Sequence, residues 1–201
     1  MSEIRLLADD LVARCKAWGT RSSDDYVALK KENSRQYARP GIAENPDAQI
    51  MGRMGECAFC LWLEIDPLTA LDWTPQCDSG FDVLWKGKRI DVKTNGGFPP
   101  LLMWPVTKNH FLQTSPADIF VLVGGGDRPL MTIEGWIGRG HFIRLCHVAP
   151  TPKQRLDPGT KYMPAKELIP MSHWHSPPDI AMAKLSIIHE KQYEYISEQW
   201  S

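Results

Sequence analysis

The sequence predicts a single α/β domain, and three observations carry that expectation. Residues 54–65 read MGECAFCLWLEI, apolar or small on every side except at Glu56 and Glu64, which is the pattern of a buried helix. Residues 81–85 and 88–93 alternate apolar and polar side chains across Lys86-Gly87, a two-residue hairpin signal. Residues 119–123 form a continuous apolar run, and 131–137 read as one more strand.

Taken in order, Ile4, Leu7, Ala8, Leu11, Val12, Cys15 and Trp18 recur at helical spacing and predict an amphipathic helix ending near Gly19. Residues 22–47 are polar, with a further helix expected over 26–37 and breakers at Pro40, Gly41 and Pro46. In the buried helix, Glu56 precedes Cys57, Ala58, Phe59 and Cys60, surroundings in which a carboxylate stays charged only with a partner. Glu64, at the helix end, reaches water. Residues 107–113 read as a helix, Gly124, Gly125 and Gly126 as a turn, and the proline-bearing tail as an extension with a last helix over 180–193.

A chain of 201 residues, 43% hydrophobic and 23% charged, buries one core, so residues 1–201 are expected to form one domain. No run approaches the roughly 20 apolar residues of a membrane span, and a cytoplasmic protein is expected. Five scattered cysteines fit reduced thiols better than a disulfide scaffold. A net charge of -1 does not advertise a nucleic-acid binder. Between residues 139 and 166, however, Arg139, Arg144, Lys153, Arg155, Lys161 and Lys166 stand against Asp157 alone, a stretch fit either to track phosphates or to be an ordinary solvated loop.

With Lys86 and Gly87 as the turn, Trp85 faces Lys88, and counting outward sets Asp82 directly opposite Asp91. Gly80, Asp82 and Leu84 then share a face with Arg89, Asp91 and Lys93, while Phe81, Val83, Trp85, Ile90 and Val92 cover the other. Like charges opposed across a strand pair cost stability unless something positive lies between them. A divalent cation is the natural candidate, because Mg²⁺ takes one or two carboxylates and keeps waters. Lys93 adds a cation beside it, the set that phosphodiester hydrolysis needs to activate water and to stabilise the pentavalent charge. Glu56 would add an outer-shell contact or help hold a second ion.

Glu56 on a helix, Gly80-Phe81-Asp82 in a strand and Ile90-Asp91-Val92-Lys93 in the next resemble the PD-(D/E)XK nuclease superfamily in order and spacing. Phe81 stands where the family name has proline. The resemblance covers residues 54–137 and implies a restriction-endonuclease-like fold, a mixed central β-sheet flanked by helices. It also implies a nuclease core over about residues 48–140, with the N-terminal helix and the C-terminal extension packed on it. In its terms Glu56, Asp82, Asp91 and Lys93 are the catalytic set, with Lys93 the catalytic lysine. Asp82, Asp91 and the Val92 carbonyl, with Glu56 assisting, hold Mg²⁺ or Mn²⁺. The size and pattern are similar to small nucleases of phages and mobile elements, and the superfamily's habits favour DNA as substrate. Lys108, Arg139 and Arg144 are candidate phosphate contacts, and the near-neutral charge points to a partner or a homodimer supplying more.

Rival readings attach to other residues. Cys57-x-x-Cys60, with Cys77 or with Cys146 and His147, invites a zinc site, but no second CxxC follows and thiols on a buried helix are more often core packing. His173 and His175 read as surface loop around Trp174, and His110 as structural. Trp104, Trp136 and Trp174 are core by default, with stacking on a base as the alternative. Gly124 to Gly126 lack the Lys-Ser/Thr of a phosphate loop. A nuclease-like fold that binds nucleic acid or protein without cutting is the alternative function. A structural protein with a solvated carboxylate face is the third.

Overall fold

The computed structural model describes residues 3–32, 45–74, 80–97, 100–104, 112, 114–125, 130–149 and 158–175. In chain order its elements are β1 (Glu3–Leu6), α1 (Asp9–Glu32), α2 (Pro46–Trp62), α3 (Pro67–Ala70), β2 (Val83–Trp85), β3 (Lys88–Asn95), β4 (Leu101–Trp104), β5 (Ile119–Gly125), β6 (Leu130–Gly138), α4 (Arg139–Leu145), β7 (His147–Val148) and β8 (Lys161–Pro164). Five strands form a mixed sheet in the order β1-β6-β5-β3-β2, in which β3 and β5 run parallel and the other neighbours antiparallel. A smaller antiparallel sheet has the order β4-β8-β7. The fold is α/β, as the interleaved helix and strand patterns imply.

Side-chain alternation divides the core into two clusters. On β5, Val121 and Val123 join Ile90, Val92 and Ile133 against Ile50, Met54, Cys57 and Ala58 of α2. Phe120 and Leu122 face the other way, onto Leu102 and Trp104 of β4, Met163 of β8 and Phe142 of α4. Strand β3 is therefore covered on both faces from Ile90 to Val92, and Asp91 is only 5% exposed. Only Lys88 and Arg89, at the start of the strand, are exposed. Arg89 uses its exposure to clasp Asp118 through Nε and Nη2, a pairing that draws the Asp118 carboxyl below the usual carboxylate range.

The N-terminal helix differs from its sequence reading at both ends. Ile4 pairs with Thr132 in β1, and the helix starts at Asp9, where Asp9 and Asp10 complement the positive end of the helix dipole. It then runs through Gly19 and absorbs the start of the helix expected over 26–37. Gly19 is a crossing point and not a stop: a Cβ there would lie 2.5 Å from Ile50 Cγ1 and 2.8 Å from the Ile50 nitrogen. Helix α2 begins earlier than the apolar run shows, capped by Asn45 with Pro46 in its first turn.

Gly124 and Gly125 belong to β5 and are not a turn, because the side chains of Thr132 and Glu134 fold over Gly124 and fill the place of a Cβ. Trp174 is buried, with its ring centroid 5.4–5.8 Å from those of Phe59, Trp62, Trp85 and Trp136, so the chain around His173 and His175 is anchored rather than a free loop. Met171–His173 is a 3₁₀ turn. The helices expected over 107–113 and 180–193, with Cys77, Lys108, His110, Gly126, Lys153 and Arg155, lie outside the described residues.

Helix α2 meets β3 at Gly55. A Cβ there would overlap Thr94 Oγ1, whereas one on Gly52 meets nothing within 4 Å. Gly55→Ala is expected to cost about 1–3 kcal/mol through overpacking, while Gly52→Ala stabilises by about 0.5–1 kcal/mol through helix propensity. Urea denaturation of the two variants tests the contrast, and equal effects would remove the special role given to Gly55.

Candidate active site

The hairpin forms as its sequence demands, with Lys86 and Gly87 at φ 46° and 75° and the pairs Trp85↔Lys88, Leu84↔Arg89 and Val83↔Ile90. It departs from the expected register one residue later. Asp82 is not a ladder partner of Asp91: its backbone N–H donates to the Ile90 carbonyl at 2.8 Å, and its carboxylate Oδ2 accepts the Val92 N–H at 2.7 Å. The side chain takes the place of a missing backbone acceptor, which ends β2 and spares the two aspartates a face-to-face position. Within a strand the N–H and C=O of one residue point to the same edge, so the Val92 carbonyl looks toward the Asp82 side of β3 as well.

Asp91 and Lys93 project from the other face of β3 than Ile90 and Val92. Lys93 Nζ bonds Asp91 Oδ1 at 2.5 Å and stands 5.4 Å from the centre of the Trp104 ring. Glu56 enters from α2, one residue beyond the Gly55 contact with β3, and pairs with Arg53 Nη1 at 2.8 Å. That ion pair is the partner its apolar surroundings require.

The four sequence-predicted residues come together around Asp82. Burial is the largest cause lifting its carboxyl well above the usual carboxylate range; Glu56 and Asp91 lift it further, while Lys93 and the Val92 N–H pull it down. Glu56 on α2, and Asp91 and Lys93 on β3, thus all lie within electrostatic reach of one carboxyl group. Arg139 and Arg144 lie on α4, which follows β6 and packs through Phe142 against Phe120.

The oxygen donors suit a hard divalent cation. Among the described residues, however, no three His, Cys, Asp or Glu side chains form a ready metal cage. Lys93 holds Asp91 and Arg53 holds Glu56, so protein cations occupy the carboxylates. The cysteines of α2 are core: Cys57 and Cys60 are fully buried, Cys57 lies 3.6 Å from Cys15 of α1, and burial is the main cause pushing the Cys60 thiol up to about 12. Sequence reasoning missed Arg53, although its position three residues before Glu56 on a helix is a standard ion-pair spacing. It also missed how close Trp104 comes to Lys93, a nearness that depends on the second sheet.

No family model, curated protein or solved structure matches the chain. The functional reading rests on these residues and their geometry.

Because the folded chain holds the Asp82 proton more tightly than the unfolded chain does, Asp82 detracts from stability once pH exceeds the ordinary carboxylate range. Asn at this position stays neutral and its oxygen can still accept the Val92 N–H. Asp82→Asn is therefore expected to melt above the wild type at pH 7 in EDTA, with the difference vanishing below about pH 4. Thermal melts across that range read it out, and an unchanged or lower melting temperature at pH 7 would show Asp82 already ionised and fully compensated.

Proposed function

We propose that this protein is a metal-dependent nuclease that hydrolyses phosphodiester bonds in DNA. The observation that carries the reading is the gathering of Glu56, Asp91 and Lys93 around the half-buried Asp82, from three separate stretches of chain. Clustered carboxylates shielded from water are costly, and a fold that assembles them beside a lysine favours a site over an accident of packing.

Asp82, Asp91 and the Val92 carbonyl would hold Mg²⁺ or Mn²⁺, with Glu56 beside them. Such an ion, when bound, polarises the phosphoryl oxygen and lowers the pKa of an attacking water. The chain's own part is positional. Lys93 sits within reach of Asp91, where its ammonium orients water and offsets charge developing on the phosphate. Trp104 lies behind Lys93 and Phe120 behind Trp104, which limits the directions open to the lysine. Lys93 engages Asp91 through Oδ1, which leaves Oδ2 as the oxygen it can offer to a cation.

The same lysine–carboxylate pairing favours a second reading, a module that binds nucleic acid or protein without cutting, since a site neutralised by its own cations is stable without metal. Cleavage assays separate the two. Purified protein is offered supercoiled, linear, single-stranded and branched DNA with Mg²⁺, Mn²⁺ or EDTA. Metal-dependent cutting is expected, reduced by at least about 10²–10³-fold in Lys93→Ala and in Asp91→Ala, with circular dichroism unchanged. Wild-type rates in either variant would remove the site assignment, and binding of DNA without cutting in any metal would select the second reading.

A further inference from the structure

Arg53 is the one buried basic residue among the described residues, 7% exposed in the middle of α2. Its guanidinium carbon lies 3.9 Å from the ring centre of Trp18 on α1 and 5.2 Å from that of Trp73, which follows α3. One edge of its fork reaches Glu56 Oε2, while its Nε has no hydrogen-bond partner among the described residues. Burying a guanidinium with an unsatisfied N–H costs stability, and a hydrophobic side chain between two indoles would pack with less cost. What the arrangement secures is direction. Two aromatic faces from different elements fix the guanidinium plane, and the plane fixes the carboxylate it binds.

We infer that Arg53 is a positioning residue, braced by Trp18 and Trp73, that sets the Glu56 carboxylate at the edge of the site, so that whatever Glu56 adds to divalent-cation binding depends on Arg53. The inference rests on the metal site of the proposed nuclease. Enclosed as it is, Arg53 acts through Glu56 and not on the substrate. Lysine at this position keeps the charge but not the planar fork, and restores the direction only in part.

The test is a coupling measurement that does not need cleavage. Binding of Mn²⁺ is followed by electron paramagnetic resonance in the wild type, Glu56→Gln, Arg53→Met and the double variant, each checked for folding by circular dichroism. Loss of a group that supports a metal site weakens affinity by about 10–100-fold. The Glu56→Gln change is expected to weaken binding by about tenfold in the wild-type background, and to have little further effect in the Arg53→Met background. Should Arg53→Met fail to fold, Arg53→Lys replaces it, with a Glu56→Gln effect smaller than in the wild type. An effect equal in both backgrounds, or none in the wild type, overturns the role of Arg53 while the nuclease reading stands. Absence of any Mn²⁺ binding by the wild type overturns the metal site and this inference with it.

Discussion

The approach of α2 to β3 at Gly55 and Thr94 governs the remaining architecture. Interiors are packed to near-crystalline density, so the separation of a helix from a sheet is fixed by the smallest residue at the contact. At Gly55 no side chain intervenes, and Thr94 fills the space. That closeness draws Met54 and Ala58 onto Ile90 and Val92, and it leaves Glu56 within electrostatic reach of Asp82. Gly19 repeats the device one layer further out, where α1 crosses α2 at Ile50. The two glycines bring Trp18, Arg53 and Glu56 into a line leading from the outer helix to the strand edge.

Around that edge the molecule accepts local instability. Asp82 sits where its charge is disfavoured, Asp91 is nearly sealed, and an arginine lies among tryptophans with an N–H unmet. Each is a departure from what packing alone would choose, and such departures concentrate where a fold serves something besides its own stability. The cost is limited by internal counter-ions. Lys93 on Asp91 and Arg53 on Glu56 keep the cluster close to neutral, while Asp82 leans on the backbone of Val92.

Much of this was legible in the sequence wherever the cause was local. The Lys86-Gly87 turn demands left-handed residues, which placed Val83 to Trp85 against Lys88 to Ile90. The apolar run around Glu56 announced both a buried helix and the need for a counter-ion. Long-range causes were hidden. Gly19 reads as a helix stop unless Ile50 is known to lie against it, and Gly124 reads as a turn unless Thr132 and Glu134 are known to cover it. The exact opposition of Asp82 and Asp91 failed for a different reason: counting assumes a regular ladder, and a carboxylate able to accept the Val92 N–H ends the ladder itself. The near-complete burial of Asp91 was hidden as well, because the sequence around it does not show that β4, paired with β8, packs over its face of the sheet.

The position of Trp174 bears on how the chain reaches this state. Its ring fills the space between Phe59, Trp62, Trp85 and Trp136, and β1 at the start of the chain pairs with β6 across about 130 residues. Contacts so distant in sequence are made late, after the entropy of closing long loops has been met. During synthesis the indoles of the core therefore stay without their central partner until Trp174 has left the ribosome, and the growing chain presents them, together with the unpaired edge of β6 whenever β1 is slow to dock, as surfaces for chaperones to shield.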